Sequence, residues 1–325
     1  MTFDYLQAKF KQRLYPLSAD PAFLGIYAVK SGYLDSSLVG VTDQFLEHAG
    51  NYDAKYFNYD RSKRLVEAGL KHARPTPSNP EVLDVGSGSG NSVLPILDMF
   101  TEARVVATDI SPQLLVLLRN NLARRPDWLE RCGLVCGDAL EAQLLQNSFD
   151  IAIGSSILHH LLHPANAIRQ VCSSVRPGGC ALFFEPFEIG SAMLRLIYER
   201  LLAERSHLKI TKAVADMLQL LVTDIRVRSG PDKTIYPQLD DKWLFTRTFF
   251  EEQARANGVS VIVSPLHAAK DSFRNQTLHY LRIVLGGGES LLSSKAWDMI
   301  RYYDEAFSEE LKSEMLIEGY VVFQK

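Results

Sequence analysis

The stretch EVLDVGSGSGNS, residues 81–92, decides the predicted fold of this chain. Its first five residues are typical of a buried strand, and Gly86, Gly88 and Gly90 follow as a turn before a predicted helix. In a strand–turn–helix unit of this kind, backbone N–H groups and the helix N-terminus face a ligand at the carboxyl edge of a sheet. The stretch therefore predicts a binding site for a nucleotide-like ligand.

Two familiar phosphate-binding patterns do not fit this glycine turn. The dinucleotide fingerprint needs a glycine or alanine where the chain has Asn91, and no Gly-Lys-Ser/Thr follows, as a phosphate-binding Walker loop requires. The carboxylate of Asp84, inside the strand, would repel a phosphate but attract a cation or an ammonium group. A cationic ligand is therefore expected, and an oxidoreductase that binds a nicotinamide cofactor is disfavoured.

Carboxylates also mark the ends of the next two predicted strands. Asp109 ends RVVATDI, about 20 residues after the glycine turn, where an acid can accept hydrogen bonds from both hydroxyls of an adenosine ribose. Asp138 ends the following strand in CGDAL, where it can accept from an adenine amino group, with Ala139 beside the ring. The three strand ends together predict acceptors for a nucleoside that carries a positive charge.

Short buried-strand patterns alternate with helical patterns from residue 81 to residue 186, which predicts βαβ units. Helices on both faces of parallel strands give a doubly wound α/β sheet. We divide the chain into an N-terminal helical cap or lid (1–78), a Rossmann-like core (79–188), a helical insertion (189–245) and a C-terminal segment that completes the core sheet (246–325).

The C-terminal segment is predicted to return to the sheet after one more helix. Thr248 and Glu251 form a capping-box pattern at the start of this helix, and Gly258 suits its end. Strands are predicted at VSVIVSPL and EGYVVFQK, and residues 271–285 between them could form a helix or a strand, with apolar spacing that favours a helix. These last strands would enlarge the sheet beyond its βαβ part.

Charge and composition exclude several classes of partner. With 35 basic and 38 acidic side chains, the formal net charge is -3, so no long-range field favours nucleic acid. The first residues lack the apolar run of a signal peptide, and no later run approaches the roughly 20 apolar residues of a membrane helix. The four cysteines form no CxxC pair and have no finger-like spacing to histidine, so no metal is expected. We therefore expect a cytoplasmic protein that contacts no membrane.

Several motifs follow one another in an order and spacing that are specific as a set: EVLDVGSGSG, ATDIS, CGDAL, FDIAIGSSILHHLLHP, VRPGG and LFFEP. The set, with the residues around it from 52 to 188, resembles the class I S-adenosylmethionine-dependent methyltransferases, of the small-molecule type similar to methyltransferase types 11 and 12. The resemblance implies a Rossmann-like methyltransferase sheet. It also implies S-adenosyl-L-methionine as the cofactor and S-adenosyl-L-homocysteine as the product.

The resemblance implies a cofactor role for residues at the strand ends and in the N-terminal segment: Asp84, Gly86, Gly88, Gly90, Asp109, Ile110, Asp138, Ala139, Ser155, Tyr52 and Tyr56. The glycine turn with its acid would accommodate the methionine part, and Ser155 would line the same end. Asp109 would bind the ribose, Asp138 and Ala139 would bind the adenine, and Ile110 would pack on the adenine ring. The two tyrosines are similar to an aromatic lid that closes over the cofactor in relatives.

Candidate catalytic residues lie after the fourth and fifth strands of the core. His159 and His160 occur in ILHHLLHP, and Glu185 occurs in FFEP. A hydroxyl acceptor needs a general base, whereas many amine acceptors do not. Each histidine could instead shape the turn and pack the following helix, and Glu185 could instead be satisfied by backbone N–H groups. Both interpretations stay open at the level of the sequence.

The resemblance predicts an enzyme of class EC 2.1.1.- that methylates a small-molecule acceptor. Transfer to a hydroxyl of a metabolite or natural-product intermediate is the first choice, because the histidines could serve as its base. N- or C-methylation of a small molecule and a non-catalytic methyltransferase-like partner subunit are the alternatives. In this family, insertions such as residues 189–245 roof the acceptor pocket, and this one could also form a homodimer contact.

Overall fold

The computed structural model describes residues 1–35, 45–73, 76–139, 143–230, 232–266 and 270–325. The strands in these residues are β1 (Tyr15–Pro16), β2 (Ile26–Ala28), β3 (Glu81–Val85), β4 (Arg104–Asp109), β5 (Cys132–Cys136), β6 (Phe149–Ser155), β7 (Val175–Pro186), β8 (Ser260–Pro265) and β9 (Glu318–Gln324). The α-helices are α1 (Phe3–Gln7), α2 (Ala49–Tyr56), α3 (Tyr59–Leu70), α4 (Val93–Met99), α5 (Pro112–Leu122), α6 (Pro126–Arg131), α7 (Pro164–Ser174), α8 (Glu188–Ala203), α9 (Lys212–Arg228), α10 (Arg247–Asn257), α11 (Ser272–Leu285), α12 (Ser294–Ala306) and α13 (Glu309–Glu314). None of the helices in these ranges combines the length and the apolar character needed to cross a lipid bilayer.

The strands of the described residues form one mixed sheet in the order β1-β2-β5-β4-β3-β6-β7-β9-β8. Neighbours from β2 to β7 in this order pair in parallel, whereas β9 pairs antiparallel with both β7 and β8. Strands β4 and β5 are buried along almost their whole length, as expected where helices cover both faces of a sheet. The predicted doubly wound, Rossmann-like α/β fold is confirmed.

The register of the parallel strands brings the predicted site residues to one edge of the sheet. Asp109 lies opposite Cys136, and Ser155 lies opposite Phe184, so the carboxyl ends of neighbouring strands are level. Loops that leave this edge are where ligands bind in open α/β sheets. The fold therefore collects residues that are far apart in the sequence into one crevice.

The N-terminal segment differs from the purely helical cap that the sequence predicts. Residues 15–28 contain β1 and β2, and β2 extends the sheet by pairing in parallel with β5, with Ile26 opposite Leu134. Only then do α2 and α3 follow, and α3 packs against α4. Strands of two and three residues are too short to show a sequence period, and pairing with a distant strand determines them. The division at residue 78 stays a prediction.

A second hydrophobic core, separate from that of the sheet, is built from α8, α9, α11 and α12. Its buried members include Leu194, Ile197, Leu218, Leu281, Trp297 and Ile300. Two of these helices belong to the predicted insertion 189–245 and two lie between β8 and β9, so the core joins parts of the chain that the predicted boundary separates. The helix predicted for residues 271–285 is confirmed as α11.

The start of α10 lies two residues before the predicted position. Thr246 caps the helix by accepting a hydrogen bond from the Phe249 N–H at 3.1 Å, so the predicted cap at Thr248 is wrong. Both threonines have the same intrinsic preference for this position, and the packing of the following aromatic residues in the core decides between them. Gly258 ends the helix in the left-handed conformation, as predicted.

Candidate active site

The turn after β3 folds back on the end of β4. The N–H groups of Gly86 and Ser87 both donate to the carbonyl oxygen of Thr108, at 2.8 and 3.0 Å. A Cβ at Gly86 would lie 2.7 Å from the Ile157 side chain, which closes that side of the turn. At Gly88 a Cβ would meet nothing within 4 Å, and glycine is favoured there because φ is +51°. The open side of the turn at Gly88 is where a ligand can approach the backbone.

Asp109 is tied to the glycine turn by its side chain. Its Oδ2 accepts from the Gly88 N–H and its Oδ1 from the Ser111 N–H, both at 2.8 Å. Its carbonyl oxygen accepts from the Gly137 N–H at 2.9 Å, which connects it to the end of β5. Burial raises the pKa of Asp109 to about 6, against the effect of the backbone hydrogen bonds. Each carboxylate oxygen keeps a lone pair for a further donor, such as a ribose hydroxyl.

Asp84 is buried inside β3, with 1% of its surface exposed. Neither of its carboxyl oxygens makes a hydrogen bond of good geometry within the described residues, and the nearby Ser92 hydroxyl only partly offsets the effect of burial on its pKa. Burial raises the pKa of Asp84 to about 7. A buried carboxyl group without a well-placed partner is unfavourable for folding, and it calls for a partner from outside the chain. Next to the open glycine turn, it fits a ligand that carries an ammonium group.

The end of β5 forms the other half of the crevice. Asp138 and Ala139 are half-buried there, and Ile110 is half-buried at the end of β4. The hydroxyl of Tyr33, which is buried after β2, donates to the Ile110 carbonyl oxygen at 3.1 Å. Burial raises the pKa of Tyr33, and the charges of Asp138 and Asp109 add to the shift. Tyr33 is missing from the predicted site because only the pairing of β2 with β5 brings it there.

A row of aromatic rings leads from α2 to the histidines. The ring centroids are 4.7 Å apart for Tyr56 and Tyr52, 4.9 Å for Tyr52 and Phe45, and 5.4 Å for Phe45 and His160. These separations are those of favourable aromatic contacts. The two tyrosines predicted as a lid are therefore together, and they are continuous with the catalytic candidates. Phe45 was not predicted, because it lies in a segment whose helix-like spacing indicates core packing.

Asn91, which breaks the dinucleotide fingerprint, anchors this aromatic segment to the glycine turn. Its Nδ2 donates to the carbonyl oxygen of Tyr56 at 3.3 Å. Its Oδ1 accepts from the Asn58 N–H at 3.0 Å and from the Ser62 hydroxyl at 3.2 Å. The junction of α2 and α3 is therefore held over the start of α4.

Glu185 is buried near the end of β7 and organises the turn after β6, which begins at the half-buried Ser155. Its Oε1 accepts from the N–H groups of Ile157 and Leu158, at 3.1 and 2.8 Å. Its Oε2 accepts from the His159 N–H at 3.3 Å and lies 2.6 Å from His159 Nδ1. These contacts favour a positioning role for Glu185, since they all go to the turn.

Asp241 joins the two histidines from a loop that precedes α10. Its Oδ1 lies 3.5 Å from His159 Nε2 and 3.3 Å from His160 Nδ1. The loop is held in place because the N–H groups of Lys242 and Trp243 both donate to the His159 carbonyl oxygen, at 2.7 and 3.3 Å. No spacing in the sequence connects Asp241 to the histidines, and sequence reasoning therefore missed it.

The electrostatic environments of the two histidines differ. Burial lowers the pKa of His159, but the carboxylates of Glu185 and Asp241 outweigh it and raise the pKa to about 9. Burial and the charge of His159 lower the pKa of His160 to about 3. Among the described residues, His159, His160 and Asp241 form a group that could hold a metal ion, although the sequence predicts none.

Comparison with known proteins identifies the class of domain. A sequence model described as a methyltransferase domain matches residues 82–179. The chain is 31% identical over 131 residues to the malonyl-[acyl-carrier protein] O-methyltransferase of Methylococcus capsulatus, which covers 40% of this chain and 46% of the relative. It is 27% identical over 138 residues to the protein of the same name from Halorhodospira halophila. This alignment covers 41% of this chain and 45% of the relative. The chain spans less than half the length of these curated relatives.

A solved structure shares the fold. It is the methyltransferase in complex with the Trm112 methyltransferase activator of Haloferax volcanii, with a TM-score of 0.54, 15% identity, and coverage of 87% of this chain and 98% of that chain. At this identity the similarity shows the fold alone. The matched sequence region contains the glycine turn and the strand-end carboxylates that form the crevice. The chain therefore carries a methyltransferase domain.

Proposed function

We propose that this protein is an S-adenosylmethionine-dependent methyltransferase (EC 2.1.1.-) that methylates a small molecule and releases S-adenosylhomocysteine. One observation carries the proposal: the buried carboxyl group of Asp84, which lacks a well-placed partner within the described residues, lies in the strand that leads into the open glycine turn at Gly88. The ammonium group of the cofactor's methionine part would supply the missing partner, whereas a phosphate there would be repelled.

The remaining strand-end residues would hold the rest of the cofactor. Asp109 would accept from the ribose hydroxyls with the lone pairs that its backbone contacts leave free. Asp138 would accept from the adenine amino group, with Ala139 and Ile110 against the ring. Ser155 would line the methionine end, and the ring pair of Tyr52 and Tyr56 would cover the bound cofactor. When bound, the cofactor supplies an electrophilic methyl group on a positively charged sulfur.

Transfer requires an acceptor atom aligned with the bond between sulfur and the methyl carbon. A lone pair of the acceptor forms the new bond, the carbon–sulfur bond breaks, and its electron pair stays on sulfur, which becomes a neutral thioether. Holding the two reactants in line can lower the barrier by about 7–11 kcal/mol, and a positioned base adds a factor of roughly 10²–10⁴. The main task of this chain's residues is therefore positioning.

We place the acceptor beside the histidine turn. His160 lies at the end of the aromatic row and is the candidate to take a proton from a hydroxyl acceptor. His159 and Glu185 hold the turn through their mutual contact. Asp241, from the proposed roofing insertion 189–245, reaches the same place, which supports an acceptor pocket between the insertion and the sheet edge. Oxygen is the proposed acceptor atom, and the names of the two curated relatives support it.

Replacing Asp109 by alanine tests the cofactor site. We expect the dissociation constant for S-adenosylhomocysteine, measured by calorimetry, to rise on the order of 100-fold, because two hydrogen bonds to a charged acceptor are lost. Asp127→Ala, a change at a half-exposed aspartate on α6, is the control and should bind as the unmodified protein does. Unchanged affinity in a folded Asp109→Ala protein would refute the ribose assignment.

The acceptor is tested by screening a metabolite library with an assay for S-adenosylhomocysteine release, followed by product identification. A product methylated on oxygen supports the proposal. Methylation of nitrogen or carbon contradicts the oxygen assignment and leaves the enzyme class intact. Failure of the unmodified protein to bind either form of the cofactor would contradict the class and favour a non-catalytic partner subunit.

A further inference from the structure

We propose that His159, His160 and Asp241 bind a divalent transition-metal ion of the zinc type at the acceptor side of the site. One ring nitrogen from each histidine and one oxygen of Asp241 all lie within 4.8 Å of one another. Two imidazoles and one carboxylate are the ligands that zinc and related first-row ions prefer, whereas magnesium and calcium prefer oxygen ligands alone. The site thus has a defined metal preference.

The distances from Asp241 to the two histidines are close to those between ligands of one ion. Asp241 Oδ1 lies 3.5 Å from His159 Nε2 and 3.3 Å from His160 Nδ1. Both separations exceed the usual 2.7–3.2 Å of an N–H···O hydrogen bond. Ligands bound at about 2.0–2.1 Å in a tetrahedral arrangement are separated by roughly 3.3 Å. His160 Nδ1 also lies 3.0 Å from the Asp240 carbonyl oxygen, so an ion bound at this nitrogen would replace the proton that it donates there.

The carboxylate of Glu185 prepares His159 for this role. Glu185 Oε2 lies 2.6 Å from His159 Nδ1, so the carboxylate orients the ring by accepting a hydrogen bond from the Nδ1–H. Nε2 faces Asp241, and an ion bound there would replace the proton that this nitrogen carries in the free protein. A carboxylate behind a histidine ligand is a common feature of zinc sites, where it sets both the tautomer and the ring orientation.

Asp241 is held in place from its other side. Arg228, which is buried at the end of α9, has Nη1 3.5 Å from Asp241 Oδ2. The Nη2 of Arg228 donates to the Trp243 carbonyl oxygen at 2.6 Å. One oxygen of Asp241 therefore faces the arginine, while the other faces the two imidazoles. The site is built by contacts from three separate parts of the chain.

Three protein ligands leave at least one position of the ion open, as in catalytic zinc sites. The side chain of Asp241 is 43% exposed, so a small molecule can reach the group. Resting on the proposed function, we assign this open position to the acceptor oxygen, which the ion would orient. With His160 bound to the ion, the hydroxyl proton would leave to water instead of to His160, and the ion would stabilise the resulting negative oxygen. The proposal thus favours acceptors with an acidic oxygen, such as a phenol or an enol.

Zinc binding tests the site directly. The full-length protein, freed of metal by dialysis against a chelator, is titrated calorimetrically with Zn²⁺, and the absorption spectrum of its Co²⁺ form is recorded. We expect one equivalent of Zn²⁺ to bind and no comparable binding of Mg²⁺. Asp241→Asn and His160→Gln should each weaken zinc binding by more than about 100-fold, and Glu185→Gln, which changes a positioning residue, by about 10–100-fold.

His163→Gln is the matched control, because His163 lies in the same ILHHLLHP motif but outside the group. It should bind Zn²⁺ as the unmodified protein does. Thermal melts and S-adenosylhomocysteine affinity, recorded for each variant, show whether it is folded. Equal zinc affinity in the unmodified protein and in folded Asp241→Asn would overturn the metal site. If the unmodified protein does not bind S-adenosylhomocysteine, the proposed function is overturned instead.

Discussion

At Asp84, a carboxyl group is buried in the central strand of the sheet and makes no hydrogen bond of good geometry within the described residues. Asp304 is similarly buried, yet its two oxygens accept from the N–H groups of Phe273 and Arg274 at 3.0 Å and stabilise the start of α11. The contrast separates a carboxylate that stabilises the fold from one that would bind the cofactor under the proposed function. Burial without a well-placed hydrogen-bond partner for Asp84 lowers the stability of the cofactor-free protein.

The raised pKa of Asp84 predicts a specific dependence of stability on pH. The group titrates near pH 7 in the folded chain and near 3.9 when unfolded, so between these values the folded state holds an extra proton. The free energy of unfolding should therefore fall as pH rises, by up to about 1.4 kcal/mol per pH unit from this group. Asp84→Asn should lose this part of the slope in urea titrations at pH 5, 6 and 7, and it should also lose S-adenosylhomocysteine binding. An identical slope in both proteins contradicts the assignment.

At the scale of elements, glycine is needed at two positions of the turn between β3 and α4 for two different reasons. Gly86 must be small because Ile157, from the turn after β6, packs against it. Gly88 faces open space and is needed for its left-handed backbone and for the approach of a ligand. The same turn receives the side chain of Asp109 from β4, so two parallel strands build it jointly.

Gly88→Ala separates backbone strain from ligand approach. The matched control is Gly258→Ala at the end of α10, where φ is +66° and a Cβ likewise meets nothing within 4 Å. Both variants should lower the free energy of unfolding by about 1–2 kcal/mol, the usual effect of a left-handed alanine. Only Gly88→Ala should weaken S-adenosylhomocysteine binding, by at least about tenfold in calorimetry. Equal binding by the two variants would show that the cofactor does not contact this turn.

At the scale of the whole molecule, two hydrophobic cores meet at the candidate site. The sheet core supports the glycine turn and the strand-end carboxylates, and the helical core of α8, α9, α11 and α12 carries the proposed roof. The loop with Asp241 connects the two parts by donating backbone hydrogen bonds to the His159 carbonyl oxygen. The acceptor side of the site therefore depends on how the cores are assembled.

The proposed homodimer contact on the helical insertion is tested at this scale. Leu196 on α8 and Leu220 on α9 are 48% and 63% exposed, so both side chains are available for a contact with a second copy. We expect light scattering during gel filtration to report a dimer, and Leu220→Glu to shift the mass toward that of a monomer. Leu24→Glu, at an exposed leucine of the N-terminal segment, is the control and should leave the mass unchanged. A monomeric unmodified protein would exclude the dimer.

Local sequence signals were sufficient for much of the fold and for the placement of the predicted cofactor residues. Buried-strand patterns predicted the parallel sheet, and its register brought the glycine turn, Asp109 and Ser155 to one edge as that prediction requires. The end of α10 at Gly258 was also predictable, whereas its start was not, because two threonines with equal capping preference compete. A sequence pattern reflects contacts between residues that are close together in the chain.

The amino-acid sequence was enough to predict the doubly wound sheet, because its strands and helices repeat with regular periods, and the position of the glycine turn, because three glycines follow the first strand. Three contacts came to light in the folded chain: Tyr33 reaches the end of β4, Phe45 connects the tyrosine rings to His160, and Asp241 joins the histidines. These contacts link distant segments through short strands and loops without a period. Their positions follow from packing and backbone hydrogen bonds across the assembled fold, which no local pattern contains.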